Sequence, residues 1–197
     1  MMKHCNSDSR YFNFPLVLLQ DFLDGDNHIE CFDNILKYAI FEHTKKYGQQ
    51  LSIEQQMEKA EIYFNIKINV PVKNYYYECK KVFYQFYGEP QPMAGINKDV
   101  LLDFYKNDKK EWDKFQLLGF LATKSIVGNA PYKKATKLYV LSRMAGKSKA
   151  VKDVNELLLV FQDLNKEYRF KKLMNLLADN WGMKYYSKKM RGFYISY

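Results

Sequence analysis

The stretch EYRFKKLMNLLADNWGMKYYSKKMRGFYISY, Glu167 to Tyr197, decides the fold. Its first half places Phe170, Leu173, Met174, Leu177 and Trp181 at spacings that return to one side of a helix, which predicts a helix over about 167–180. Gly182 breaks that helix. After it the pattern changes to Tyr, Phe and Ile, residues that favour strands, on either side of Lys188, Lys189 and Arg191. Gly192 suits a turn or a bulge, so the segment reads as two aromatic strands around a basic turn.

Working back from this stretch, three more helices precede it in the second half of the chain. Trp112, Phe115, Leu118, Leu121, Ala122 and Ile126 form one stripe over 111–127, ending near Gly128. An Asn-Ala-Pro-Tyr turn follows, and Thr136 is placed to cap a short helix that buries Leu138, Leu141, Met144 and Ala145, with Gly146 just past its end. Asp153 and Glu156 predict a capped helix over 154–165.

The first half is more uniformly helical. Asn13-Phe-Pro15 reads as a helix start, with Leu16, Leu19 and Leu23 following at helical spacing. Asp26 or Asn27 caps a second helix through Ile40 and His43, and Ser52 with Gln55 forms a capping box for a third, through about Phe64. Residues 66–70 alternate as a short strand or an extended link. Residues 72–87, VKNYYYECKKVFYQFY, predict an aromatic helix ending at Gly88. The Gly-Glu-Pro-Gln-Pro run at 88–92 is the linker, and a short helix over about 97–106 leads into the second half. The fold class expected is mainly α: an aromatic helical interaction module over 1–95, and a basic module over 97–197 that ends in a β-hairpin.

Charge separates the two parts. Over the 197 residues, 31 Lys and Arg against 22 Asp and Glu give a net charge of +9. Residues 1–108 carry a net −3 and residues 109–197 a net +12, so the whole positive excess lies in the second part. Between Asp113 and Asp153 there is no acidic residue, while Lys114, Lys124, Lys133, Lys134, Lys137, Arg143, Lys147, Lys149 and Lys152 all fall there. Such asymmetry points to an anionic partner.

Short helices, a longer basic helix and a β-hairpin with a basic tip, in that order, resemble a winged helix-turn-helix domain over about residues 111–197. The resemblance implies that 167–180 is the recognition helix, with Arg169, Lys171, Lys172 and Asn175 as its contacts. Lys184, Lys188, Lys189 and Arg191 then sit on or beside the wing, and Lys133, Lys134 and Lys137 add to the same basic surface. Lys and Arg at these points neutralise phosphates and release counterions, and Asn reads an adenine edge. The implied partner is duplex DNA, in a transcriptional or replication-accessory role of a phage or mobile element. Only 4 of the 31 basic residues are Arg, which limits bidentate reading of guanine. Two helices, about 136–145 and 154–165, compete for the place of turn partner.

The same charge has a second reading. A non-enzymatic interaction protein, such as a phage-type inhibitor, would dock a basic face on an acidic or nucleic-acid-binding partner. Tyr75, Tyr76, Tyr77, Phe83, Tyr84, Phe86 and Tyr87 surround one helix, a pattern of deep burial or of a homodimer or partner contact rather than of base stacking. No Walker loop, G-x-G-x-x-G, H-E-x-x-H or G-x-S-x-G occurs, so no enzyme, cofactor or catalytic residue is expected. Asp21, Asp24 and Asp26 read as a capping cluster at a turn. His4, Cys5, His28 and Cys31 have spacings a metal could use but lack the tight knuckles of a zinc site, so no metal is expected. Three widely spaced cysteines and the absence of a long apolar run lead to the expectation of a cytoplasmic protein that makes no membrane contact.

Overall fold

The computed structural model describes residues 11–24, 27–88, 91–187 and 192–197. In chain order they form β1 (Tyr11–Pro15), a 3-10 turn (Leu16–Leu19), α1 (His28–Tyr47), α2 (Ile53–Phe64), α3 (Val72–Phe86), β2 (Met93–Asn97), α4 (Lys98–Lys106) and α5 (Glu111–Val127). Then come β3 (Lys133–Ala135), α6 (Lys137–Met144), a 3-10 turn (Val154–Glu156), α7 (Leu159–Leu164), α8 (Glu167–Trp181), β4 (Lys184–Ser187) and β5 (Phe193–Ser196). The chain is mainly helical with two small antiparallel sheets, and no helix among the described residues is long and apolar enough to cross a membrane.

Helix α5 is the centre. Phe115, Leu117, Leu118, Leu121, Ala122, Ile126 and Val127 are all buried, so the helix is apolar around most of its circumference. It packs against β2, the Leu16–Leu19 turn, α6, α8, β3 and β5. The buried apolar cluster is therefore continuous from Phe12 to Ile195. Tyr197 closes the packing beside β5: its hydroxyl bonds to Thr123, and its ring meets Phe120 edge-on at 5.6 Å.

Most helix limits follow the caps in the sequence. Ser52 and Gln55 bond each other's backbone N–H groups, a complete capping box on α2. Thr136 accepts the Tyr139 N–H at the start of α6, and Gly182 ends α8 in the left-handed conformation.

Two local expectations are corrected, at residues 11–15 and 154–165. Residues 11–15 form a strand, not a helix start: Phe12 and Phe14 point inward with period two, and the strand pairs with β2 from Tyr11↔Asn97 to Pro15↔Met93. The boundary between the two expected modules, at residues 95–97, thus falls inside a paired strand. Residues 133–135, which directly follow the expected turn, form β3, which pairs with β5, so the hairpin becomes one side of a three-stranded sheet of order β3-β5-β4. The helix expected over 154–165 is two pieces. Asp153 and Glu156 do form a capping box, but on a 3-10 turn; Leu157 and Leu158 are extended before α7 begins. Of the two forms open to residues 66–70, the structure takes the extended link.

Helices α5 and α8 approach closely at Gly119. A Cβ there would lie 3.0 Å from Leu177 Cδ1 and 3.3 Å from Leu173 Cδ1. Gly119→Val should therefore destabilise the protein by about 1–3 kcal/mol despite the helix propensity gained, as read by chemical denaturation of the full chain. Unchanged stability would show that the two helices are not in this contact.

Candidate nucleic-acid interface

The inner face of α8 buries Phe170, Leu173, Met174 and Leu177, which fixes its outer face. That face carries Tyr168, Lys171, Lys172 and Asn175, all exposed. Helix α7 leads into α8 through the two-residue turn Asn165-Lys166 and packs against it. Helix α6 reaches the same turn by one side chain: Lys137 Nζ donates to the Asn165 carbonyl at 2.8 Å and to Glu167 Oε2 at 3.3 Å.

The residues singled out in the sequence are not equivalent. Lys171 is exposed and has no partner among the described residues. Lys172 rests its Nζ 3.9 Å from the centre of the Trp112 ring, which holds the ammonium near the surface in a cation–π contact. Asn175 Oδ1 accepts the Tyr185 hydroxyl at 2.8 Å, so it ties β4 to α8. Lys184 on β4 and Lys133 and Lys134 on β3 are exposed. Lys137 is half-buried in the bonds just given. Lys188, Lys189 and Arg191 lie outside the described residues.

Arg169 faces the protein. Its Nη1 lies 2.9 Å from Asp163 Oδ2 and its Nη2 3.5 Å from Glu111 Oε2, while the guanidinium stands over Trp112 at 5.3 Å. The hydrogen bond from Lys166 holds the Asp163 carboxyl below its ordinary range, and the Arg169 charge adds to this. Arg169 thereby joins the start of α5 to the last turn of α7 and positions α8.

The sheet adds a surface the sequence did not reveal. Register places Tyr186 opposite Tyr194 and Tyr194 opposite Lys134. The Tyr132 ring meets Tyr194 at 5.7 Å, and Tyr132 and Tyr186 are each 61% exposed. The strand at 184–187 is legible from its aromatic residues after Gly182. The third strand is not, because three residues of Lys-Lys-Ala carry no period.

The metal-like spacing at His28 and Cys31 has ordinary packing partners. The Cys31 thiol donates to the Gln20 carbonyl at 3.3 Å, and burial pushes its pKa up to about 11. The His28 ring packs on Phe22. His4 and Cys5 lie outside the described residues, and no group of three metal-binding side chains occurs among the described ones.

No protein-family model matches the chain, and neither a curated protein nor a solved structure matches it.

The distinction between Arg169 and Lys171 is measurable. Arg169→Gln should lower stability by about 1–2 kcal/mol through loss of a partly buried ion pair and a cation–π contact. Lys171→Gln should change stability by less than about 0.5 kcal/mol, as expected of a free surface residue. Because the Asp163 pKa is depressed on folding, its contribution is complete above the ordinary Asp range and is lost as pH falls through and below it. Urea melts at neutral pH and at acid pH check both statements. Equal effects of the two substitutions would contradict them.

Proposed function

We propose that the protein binds duplex DNA without catalysing a reaction, and that residues of about 111–197 act as a winged-helix-like module for this purpose. The biological role that fits is transcriptional regulation, or an accessory step in replication, in a phage or mobile element. The observation that carries this reading is the junction of α8 and the three-stranded sheet. The Tyr185–Asn175 bond ties β4 to α8, so the exposed Lys171 and Lys172 on the helix and Lys184 on the strand are held on connected elements. The other edge strand, β3, adds Lys133 and Lys134. No acidic residue occurs between Asp113 and Asp153 to offset this charge. Phosphate contacts of this kind give affinity and orientation, while base contacts from the same helix face give sequence preference.

A second reading has its own support in the first half of the chain. Helix α3 buries Cys79 and Phe83 against α1 but leaves Tyr77 and Tyr84 exposed, with the exposed Tyr87 just past its end. Exposed tyrosines suit a protein partner or a second copy, because each offers apolar area with a polar tip. In this reading the basic half docks on an acidic or nucleic-acid-binding protein.

A gel-shift series over salt concentration separates the readings. Duplex binding should weaken linearly in log–log form, with a slope of about −0.9 for each phosphate neutralised. Lys171→Gln and Lys184→Gln should each reduce the slope by about one such unit, and Arg169→Lys should leave it unchanged. No duplex binding at low salt, with capture of an acidic protein in its place, would favour the docking reading.

A further inference from the structure

The two arginines that fall among the described residues are treated very differently. Arg169 has two carboxylates. Arg143 is only 8% exposed and has none: no acidic side chain among the described residues lies within ion-pair distance. Its partners are hydroxyls. Nε and Nη2 both donate to the Tyr139 hydroxyl, at 3.2 and 2.7 Å, and Nη1 reaches the Ser125 hydroxyl at 3.5 Å. A buried cation without a counter-charge is costly to keep, because neutral oxygens replace its hydration shell only in part.

Tyr139 also lines an open groove of about 490 Å³, together with Lys134, Thr136, Ser148 and Lys149. With its lone pairs taken by Arg143, the Tyr139 hydroxyl keeps its own proton to donate away from the arginine. Lys134 and Lys149 are exposed on the same groove, and the segment that builds it contains no acid. The groove thus combines two ammonium groups, hydroxyl donors and, one hydroxyl behind them, a buried guanidinium. Several donors with positive charge suit a ligand with several anionic oxygens.

We propose that the groove between β3, the start of α6 and residues 148–150 is a phosphate-binding site, in which Tyr139 donates to the anion and Arg143 acts through Tyr139 as a positioning residue. Lys134 and Lys149 supply the direct charge. Where the phosphate belongs to a nucleic-acid backbone, the proposal rests on the DNA reading above; the anion site itself stands without it.

The test uses the full chain labelled with ¹⁵N. Inorganic phosphate is titrated at constant ionic strength, with chloride as the reference. The expected result is saturable amide shifts at Lys134–Tyr139 and Ser148–Ala150, with binding weakened by about tenfold in Tyr139→Phe, which keeps the ring but loses the donor. Lys149→Gln, a change at an exposed residue, should weaken it as well and guards against a folding defect in the first variant. The absence of saturable shifts, the same shifts with chloride, or full affinity in both variants would overturn the proposal. The gel-shift salt slope of Lys149→Gln then identifies the source. A slope reduced by about 0.9 assigns the site to a backbone phosphate. Phosphate binding with no duplex binding assigns it to a free phosphate group, and the DNA reading alone fails. Duplex binding without phosphate binding overturns the groove proposal alone.

Discussion

The structure depends on one constraint: α5 must be buried around most of its circumference. A helix carrying Phe115, Leu117, Leu118, Leu121, Ala122 and Ile126 cannot leave a broad face in water, so other elements have to cover each side. Strand β2, the Leu16–Leu19 turn, α6, α8 and the three-stranded sheet together cover it. The acidic and basic parts of the chain therefore share a single apolar cluster, although their surface charges differ in sign. Gly119 sets how near α8 comes, and Arg169 then fixes the orientation of its N-terminal turn through Asp163, Glu111 and Trp112.

Burial on this scale determines which charges remain outside. Once Phe170, Leu173, Met174 and Leu177 face α5, the positions of Lys171, Lys172 and Asn175 follow from helix geometry. The sheet is seated by Ile195, which is buried, and by Tyr197, locked onto Thr123 and Phe120. Alternation then turns Tyr186, Tyr194 and Lys134 outward as neighbours across three strands. The basic surface is thus a by-product of where the apolar residues had to go, and its rigidity comes from the core beneath it.

Helical periodicity and capping made most of the fold legible in the sequence. Ser52 with Gln55, Thr136 and Gly182 act locally, so their roles survive into the structure unchanged. Strand pairing was harder to read because it is not local: Tyr11 meets Asn97, and Lys133 meets Ile195. Neither strand partner carries a signal for the other. The break within 154–165 is not legible in the sequence, because Leu157, Leu158, Leu159 and Val160 form a continuous apolar run with no period to mark where the helix begins. For the candidate interface, charge located the region but not the role of each residue. Arg169 and Lys171 look alike in sequence; only the positions of Trp112, Asp163 and Glu111 separate an internal anchor from a free cation. Arg143 stood in the acid-free run, but its burial without a carboxylate is a property of the fold.

The central claim is that the face formed by α8 and the two edge strands meets nucleic acid. Hydrogen–deuterium exchange of the full chain, with and without a duplex at low salt, tests it most directly. The account predicts slowed exchange within residues 133–137, 167–175 and 184–187, with α1 to α3 unchanged. Protection confined to α1 to α3, or none at all, would contradict it.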